Sequence, residues 1–259
     1  MTDMTDKVVL ITGGSRGLGR AMALAFADAG ADIAIIGRKI DSCLATAGEV
    51  EALGRKAFPY AAHVANWEQV DTMVEAVYAE FGRVDVLINN AGFGTNKAFT
   101  MSTLDVEQQL LDVLVRTPMR LMHVALPLMK ARDNGIIINV SSVASFIAGG
   151  AYSASKSYLT VLSESLHTEL SATNIKVSAL CPGFTRTEFH QRGRMKMAGL
   201  PQFMWLNSDT LVAKAWKDAL AGKPVSIPGW QYKILVGIIS LMPRSLVRRV
   251  GMNLRVKQR

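Results

Sequence analysis

The chain of 259 residues is 49% hydrophobic and 19% charged, which is enough to bury the core of one α/β domain. Eight of its 29 basic residues lie in residues 219–259, where no acidic residue occurs, so residues 1–218 hold 21 basic and 21 acidic side chains. The positive charge therefore belongs to the C-terminal tail, and the absence of a nucleic-acid-binding motif in that tail argues against a nucleic-acid partner.

The N-terminus and the cysteines argue against a secreted or metal-binding protein. The segment "MTDMTDK" contains two aspartates and no apolar run of signal-peptide length, so we expect a cytoplasmic protein. Cys43 and Cys181 lie far apart and form no C-x-x-C pattern, which predicts reduced, buried thiols. We expect neither a disulfide framework nor a metal site.

Seven apolar segments of strand length alternate with longer amphipathic segments. In chain order they are "KVVLIT", "ADIAIIG", "KAFPYAA", "VDVLINN", "GIIINVSS", "IKVSALC" and "VSIP". Strands that are buried on both faces are continuously apolar, so this alternation predicts a parallel sheet with helices on both faces. The predicted fold is a single-domain, Rossmann-like, doubly wound α/β sheet of about seven strands.

The turn after the first strand, "TGGSRGLG" at residues 12–19, is rich in glycine. Gly13 lets the chain turn sharply, and Gly17 and Gly19 let the next helix begin close to a pyrophosphate, which its N–H groups attract. Between a strand and a helix this pattern predicts a dinucleotide-binding turn, although an ordinary glycine-rich turn has the same composition. The predicted cradle consists of Gly13, Ser15, Arg16, Gly17, Leu18 and Gly19.

The residues after the second strand indicate which dinucleotide is bound. Arg38 and Lys39 follow Gly37, where an NAD site has an acidic residue for the ribose 2′-hydroxyl. Two cations there favour a 2′-phosphate, and Arg16 can approach the same phosphate from the other side. The sequence thus predicts NADP(H) rather than NAD(H), with solvated loop charges as the alternative reading.

A tyrosine and a lysine in "YSASK" provide candidate chemistry. Tyr152 and Lys156 are four residues apart, so on a helix they share one face. A neighbouring ammonium favours the phenolate, which predicts a lowered pKa for Tyr152 and proton exchange with a carbonyl oxygen. Ser142, at the end of "GIIINVSS", supplies a hydroxyl that can hydrogen-bond the same oxygen.

Five motifs follow one another in chain order: "TGGSRGLG", "NNAG" at 89–92, "NVSS" at 139–142, "YSASK" at 152–156 and "CPGFTRT" at 181–187. Together they resemble the short-chain dehydrogenase/reductase family from about residue 7 to 228. The resemblance implies that Ser142 positions a substrate carbonyl and Tyr152 is the acid/base. It also implies that Lys156 binds the nicotinamide ribose and lowers the tyrosine pKa.

The resemblance implies further cofactor contacts in a dinucleotide-binding and catalytic domain spanning residues 1–229. On the adenosine-ribose side, where they also support the central sheet, it places Asn89, Ala91 and Gly92. Against the nicotinamide and pyrophosphate it places Pro182, Gly183 and Thr187. The remaining predicted cofactor-binding residues are His63, Val64, Asn90, Phe184 and Thr185.

Three features depart from the family's pattern. Leu114 stands where the pattern has an asparagine that holds the water of a proton relay. His63 stands where many relatives have an aspartate beside the adenine, and the loop between Ser142 and Tyr152 is shorter than in many relatives. We expect a working but slow NADPH-dependent carbonyl reductase or alcohol dehydrogenase; the alternative is an NADP-binding sensor or scaffold with little turnover.

Residues 188–207 are where relatives have a substrate lid. The lid carries eight large apolar side chains: Phe189, Met195, Met197, Leu200, Phe203, Met204, Trp205 and Leu206. Methionines and aromatics suit a bulky apolar ligand, so a lipophilic ketone, aldehyde or secondary alcohol is the expected substrate. The same residues can instead simply pack the lid onto the body. His190 is expected to be a lid or surface residue rather than a catalytic one.

Residues 230–259 are predicted to form an apolar and basic helical extension. The apolar part, residues 230–242, would span about 20 Å as a helix, short of the hydrocarbon core of about 30 Å. Such a helix with arginines behind it can lie on an anionic membrane, or pack against another subunit of a homo-oligomer, a dimer or tetramer. The sequence leaves both partners open.

Overall fold

The computed structural model describes residues 2–95, 97–189 and 201–249. Its centre is one parallel sheet of seven strands in the order β3-β2-β1-β4-β5-β6-β7. The strands are β1 Val8–Thr12, β2 Asp32–Gly37, β3 Ala57–Ala61, β4 Val86–Asn89, β5 Gly135–Val140, β6 Ile175–Leu180 and β7 Val225–Ser226. The predicted doubly wound sheet is confirmed, and each predicted apolar segment contains one strand.

Helices cover both faces of the sheet. They are α1 Gly17–Asp28, α2 Ile40–Ala52, α3 Trp67–Phe81, α4 Leu104–Leu111, α5 Thr117–Ala131, α6 Ala151–Glu169, α7 Ser208–Leu220 and α8 Trp230–Leu241. A π-helical turn, Asp112–Arg116, joins α4 to α5. Short 3₁₀ helices occupy Phe99–Met101, Val143–Phe146 and Gln202–Met204.

The residues of each strand alternate between two apolar cores. In β1, Val9 and Ile11 belong to the core under α1, α2 and α7, whereas Leu10 belongs to the core under α3–α6. Because both faces are covered, every residue of β1 is buried. The rings of Phe26 and Trp216 meet edge to face with centroids 4.9 Å apart and join α1 to α7.

The strand order reverses at β1, and this reversal positions the candidate site. β1 pairs with β2 on one side and with β4 on the other. The connections from the two halves of the sheet therefore diverge at this point, which leaves a crevice at the carboxyl ends of β1 and β4. Four of the five quoted motifs begin within or directly after a strand end on this edge.

Both cysteines are free and buried, as the sequence predicts. Burial raises the pKa of the Cys43 thiol. A hydrogen bond with Ser15 and the charge of Arg16 lower this pKa, but by less than burial raises it. Burial also raises the pKa of Cys181. Hydrogen bonds to its sulfur, of which the bond with Thr160 has the largest effect, lower this pKa but do not cancel the effect of burial. Both thiols are therefore held in the protonated form at neutral pH.

A buried carboxylate fixes α7 to β7 at the edge of the sheet. Asp218 accepts a hydrogen bond of 2.8 Å from Ser226, and it pairs with Lys214 and, at 2.8 Å, with Lys223. Burial alone would raise the pKa of Asp218, but the hydrogen bonds from these three partners outweigh it and lower the pKa to about 2. The folded state thus holds this aspartate ionised.

Asp218→Asn is expected to lower the free energy of unfolding by about 2 kcal/mol at pH 7, because the depressed pKa is linked to stability. A depressed carboxyl pKa stabilises the protein above the unfolded value of 3.8 and stops doing so as the pH falls toward 2. The difference between the two proteins should therefore shrink in acid. Urea unfolding at two pH values measures it, with the exposed Asp28→Asn as control. A pH-independent difference would contradict the assignment.

Candidate active site

A cavity of about 890 Å³ lies at the carboxyl ends of the central strands. All but two of the residues in the predicted catalytic and cofactor sets line it. They are Gly13, Ser15, Arg16, Gly17, Leu18, Gly19, Arg38, His63, Val64, Asn90, Ala91, Gly92, Ser142, Tyr152, Lys156, Pro182, Gly183, Phe184, Thr185 and Thr187. Lys39 is exposed and is not among the lining residues. His190, Met195, Met197 and Leu200 fall outside the described residues.

The glycines of the first turn are required by the backbone. Gly13 and Gly17 have φ values of +66° and +52°, a region that favours glycine. A Cβ on Gly19 would lie 2.2 Å from the carbonyl oxygen of Gly13. Gly19 is therefore needed for packing of α1 onto its own turn, whereas the sequence interpretation assigned it to the approach of a pyrophosphate. The start of α1 faces the cavity, where its N–H groups suit a phosphate.

The "NNAG" segment holds this turn in place. The side-chain amide of Asn90 donates to the carbonyl oxygens of Thr12 and Gly13, each at 3.0 Å. The Thr12 hydroxyl accepts from the backbone N–H groups of Asn90 and Ala91, each at 3.1 Å. Asn89 is not among the lining residues; it donates to Asn139 at 2.8 Å inside the sheet. These bonds fix the ends of β1 and β4 relative to each other.

Two of the three predicted cations border the cavity near the glycine-rich turn. Arg16 directly precedes α1, and Arg38 directly follows β2. Arg38 is exposed, so its guanidinium is accessible to a ligand from solvent. The backbone between them is tightly packed, because a Cβ on Gly37 would lie 2.7 Å from the Cys43 sulfur and 2.8 Å from the Ser15 hydroxyl. This packing fixes the backbone at the end of β2 and therefore the position of Arg38, the next residue.

Ser142, Tyr152 and Lys156 meet at the other end of the cavity. Tyr152 and Lys156 lie one turn apart on α6, with the lysine Nζ 5.8 Å from the centroid of the phenol ring. Ser142 follows β5, and its side chain hydrogen-bonds the Tyr152 hydroxyl. The Ser142 Oγ also accepts from the backbone N–H of Ala144 at 3.1 Å, which orients it. The structure thus brings together the three side chains that the sequence analysis singled out.

The pKa of Tyr152 is not lowered in the protein alone. Burial raises it to about 12, although the hydrogen bond with Ser142 opposes this shift. Burial also lowers the pKa of Lys156 to about 8. Burial is thus the largest influence on the Tyr152 pKa in the protein by itself, and a lowering of this pKa by Lys156 stays a prediction.

The ammonium of Lys156 is held by the strand beside it. Its Nζ donates to the carbonyl oxygen of Val140 at 2.6 Å, and the side chain is 4% exposed. The Lys156 carbonyl oxygen in turn accepts from the Ser141 hydroxyl at 2.8 Å. Lys156 is thus fixed at both its backbone and its charged end. The ammonium has further donors for a ligand hydroxyl at the cavity wall.

The lowered pKa of Lys156 predicts a pH limit on cofactor binding. At pH 7 the lysine is mostly protonated, since its pKa is about 8, and it loses its proton above that pH. We expect the affinity of the protein for NADPH to fall by up to about tenfold per pH unit above pH ~8. Fluorescence titration between pH ~7 and ~9.5 measures this, with the always charged Lys156→Arg as comparison. A constant affinity over this range would contradict a role for the ammonium in binding.

Leu114 lies beside Lys156. It is buried in the π-helical turn between α4 and α5. A Cβ on Gly92 would lie 3.1 Å from Leu114 Cδ2 and 3.8 Å from Lys156 Nζ, so both side chains border the same small volume. An apolar group therefore occupies the position next to Lys156 at which the family's pattern has a hydrogen-bonding amide.

Several cavity residues come from α8, which the sequence analysis did not assign to the site. Tyr232, Leu235 and Ile239 line the cavity. The Tyr232 hydroxyl donates to the Met204 carbonyl oxygen at 2.6 Å and accepts from the Phe184 N–H at 2.9 Å. The spacing of the apolar residues in α8 indicates a buried face, but the sequence does not indicate what that face contacts.

The described residues of the predicted lid contribute apolar side chains close to Tyr152. Phe189 and Met204 line the cavity, and the Phe189 ring centroid lies 6.3 Å from that of Tyr152. Trp205 packs instead against Phe184, with centroids 6.1 Å apart. A Cβ on Gly183 would lie 2.0 Å from the ring of Tyr232, so glycine is required where α8 crosses the end of β6. The described part of the lid thus both borders the cavity and packs onto the body.

Comparisons with known proteins agree with this geometry. The family model of the short chain dehydrogenases matches residues 7–198. Ketoacyl reductase HetN from Nostoc sp. (strain PCC 7120) is 31% identical over 246 residues, covering 93% of this chain and 85% of that protein. The 3alpha-hydroxysteroid dehydrogenase of Mediterraneibacter gnavus is 33% identical over 191 residues, covering 71% of this chain and 76% of that protein.

A solved structure shows the same architecture. A short-chain dehydrogenase from Sphingobium yanoikuyae in complex with NADPH matches with a TM-score of 0.81 and 28% identity, covering 92% of this chain and 97% of that one. The chain therefore belongs to the short-chain dehydrogenase/reductase family, a family of oxidoreductases.

Proposed function

We propose that the protein is an NADPH-dependent carbonyl reductase, which also runs as an alcohol dehydrogenase in reverse. The observation that carries this proposal is the meeting of Ser142, Tyr152 and Lys156 at one end of a cavity whose other end is the glycine-rich turn. A dinucleotide fits this arrangement, because its phosphates can face the N–H groups at the start of α1 while its reactive ring lies at Tyr152.

The three side chains have distinct roles in the proposed reaction. A nicotinamide cofactor held by the glycine-rich turn and Lys156 would supply the hydride for the carbonyl carbon. Tyr152 gives its hydroxyl proton to the carbonyl oxygen, which becomes the alcohol, and Ser142 donates a hydrogen bond to the same oxygen. Lys156 holds the nicotinamide ribose, and its charge stabilises the phenolate that remains. The high pKa of Tyr152 in the protein alone keeps it in the protonated form that reduction requires.

The preference for NADPH rests on two arginines. Arg16 and Arg38 border the end of the cavity where the adenosine ribose would lie, and no acidic residue directly follows β2. Guanidinium groups bind phosphate through several charge-assisted hydrogen bonds, whereas an NAD site uses a carboxylate for the ribose hydroxyls. The relative from Sphingobium yanoikuyae, which was solved with NADPH, is consistent with this choice.

The substrate is proposed to be lipophilic. The catalytic end of the cavity is lined by large apolar side chains: Ile147, Phe184, Phe189, Met204, Leu235 and Ile239. Such walls bind apolar groups, and polar side chains, among them Gln109 and Glu188, line other parts of the same cavity. Two relatives are named for ketoacyl and steroid substrates, both of which are largely apolar.

A series of ketones tests the proposed substrate class. NADPH oxidation is followed with 2-alkanones of increasing chain length, with steroid ketones and with a hydrophilic ketose. We expect kcat/KM to rise by up to about fourfold for each buried methylene until the cavity is filled. A preference for the ketose would overturn the lipophilic assignment and leave the reductase assignment intact.

Leu114 supports a second candidate function, an NADP-binding sensor or scaffold with little turnover. A leucine beside Lys156 cannot hold the water of a proton relay. This candidate predicts tight NADPH binding without turnover, and a gain of turnover in Leu114→Asn that Leu114→Ala does not reproduce. Turnover by the natural chain would exclude it. Since the proton donor Tyr152 is present, the reductase is the function that we favour.

We also infer that the protein forms a homo-oligomer in the cytoplasm. The helices α4 and α6 contact each other and carry exposed apolar side chains: Leu104, Leu111, Tyr158 and Val161. This surface suits a second copy of the chain, because apolar contact is typical of homodimer interfaces. Val161→Lys is expected to give a smaller species in sedimentation velocity, and an unchanged species would contradict this choice of interface.

A further inference from the structure

The helix α8 has an apolar face on each side. Its inner face, Tyr232, Val236 and Ile239, is buried against the body. Its outer face carries four exposed apolar side chains, which we call the outer stripe: Trp230 (68% exposed), Ile234 (55%), Ile238 (54%) and Leu241 (89%). These positions are four, four and three residues apart, so the side chains lie along one side of the helix.

One more exposed apolar side chain lies near the start of α8. Phe203 is 61% exposed, and its carbonyl oxygen accepts a hydrogen bond of 2.9 Å from the Gln231 side chain. Contiguous apolar surface of this kind marks a site of contact with another apolar phase. Within the described ranges no helix is both long and apolar enough to cross a membrane. At 12 residues α8 is about 18 Å long, so a surface contact is the geometry available to it.

The charges beside the outer stripe favour an anionic partner. Lys233, Arg244, Arg248 and Arg249 are exposed on and after α8, and the sequence has no acidic residue from 219 to 259. In a symmetric contact between two copies, the same cations would face one another across the interface. A surface of phosphate headgroups over hydrocarbon complements both the charge and the apolar side chains.

We propose that the outer stripe docks this protein on the surface of an anionic lipid bilayer. The helix lies along the headgroup region, with Trp230, Ile234, Ile238 and Leu241 in the apolar layer and the basic side chains at the phosphates. The inner face of the same helix lines the catalytic cavity through Tyr232, Leu235 and Ile239. Docking therefore places the cavity wall against the membrane.

This arrangement concerns the substrate as well. A lipophilic carbonyl compound that is dissolved in the bilayer would meet the protein at the helix that forms one wall of the cavity. That consequence rests on the proposed function, whereas the docking itself does not depend on catalysis. Binding to vesicles and turnover of a water-soluble ketone therefore test the two proposals separately.

Vesicle flotation with the full chain tests the docking. Vesicles of phosphatidylcholine alone are compared with an equal mixture of phosphatidylcholine and phosphatidylglycerol. We expect binding to the mixture to be at least about tenfold tighter and to weaken as salt is added. The double variant Ile234→Ser/Ile238→Ser should lose about tenfold in binding, whereas the control Leu44→Ser/Leu53→Ser, on exposed residues of and after α2, should not.

A second variant and a second measurement distinguish a loss of docking from misfolding of the protein. Lys233→Glu/Arg248→Glu changes only exposed charges and should abolish the preference for phosphatidylglycerol. Sedimentation velocity of each variant reports its assembly. Absence of vesicle binding by the natural chain would overturn the proposal. A smaller oligomer of the Ile234→Ser/Ile238→Ser variant in sedimentation velocity would also overturn it, because the outer stripe would then be an interface with a second copy of the chain. Vesicle binding without ketone turnover would instead overturn the proposed function alone.

Discussion

Replacement of Tyr152 by phenylalanine is expected to lower kcat for carbonyl reduction by a factor of about 10² to 10⁴, because the proton donor is lost. The change removes one hydroxyl and keeps the ring, so the packing of Phe189 and Lys156 around it is retained. NADPH should still bind, since the glycine-rich turn and the arginines are distant from the deleted atom. Steady-state kinetics and an NADPH titration of the same preparation measure both effects.

The matched control for this substitution is Tyr158→Phe. Tyr158 lies on the same helix, α6, and is 40% exposed. It does not line the cavity, so removal of its hydroxyl should leave kcat within a factor of about two. If Tyr152→Phe reduced ketones at the rate of the natural protein, the assignment of the acid would be wrong, whatever the cofactor affinity.

Replacement of Arg38 by alanine is expected to raise the Kd for NADPH by about 10- to 100-fold while the Kd for NADH changes little. The basis is a lost charge-assisted contact to the 2′-phosphate, which NADH lacks. The exposure of Arg38 places the effect toward the lower end of this range. Isothermal titration with both nucleotides measures the ratio directly.

Lys39 provides the control for this second prediction. The sequence predicts that Lys39 binds the cofactor together with Arg38, but in the structure Lys39 is exposed and does not line the cavity. Lys39→Ala should therefore change the Kd for NADPH by less than about twofold. If Lys39→Ala and Arg38→Ala raised the Kd for NADPH equally, Lys39 would belong to the cofactor site after all. If Arg38→Ala weakened the binding of NADPH and of NADH by the same factor, the arginine would not select the 2′-phosphate.

The fold was predictable because both faces of the sheet are covered. In that setting each strand is a continuous apolar run, as in "KVVLIT" and "GIIINVSS", and the runs stand out from the amphipathic helices. The seventh strand was less well defined: "VSIP" contains only a two-residue strand, Val225–Ser226, at the edge of the sheet. There the pairing has one neighbour, so local sequence constrains it less.

The candidate site was predictable where its residues lie at strand ends and not where it depends on long-range packing. Gly13 directly follows β1 and Ser142 lies two residues after β5, which brings both to one edge of the sheet. The contribution of Tyr232 to the cavity depends on how α8 folds back over Gly183, and nothing local in the sequence encodes that contact. The raised pKa of Tyr152 likewise depends on burial, which sequence spacing alone does not indicate.

The most direct test of the account is a product balance with the natural protein. NADPH consumption and alcohol formation are measured together on an apolar ketone, the first by absorbance and the second by chromatography. One alcohol is expected for each NADPH oxidised, since one hydride and one proton are added to each carbonyl. Saturable NADPH binding with no alcohol formed from any ketone of the series would contradict it and would favour the sensor or scaffold.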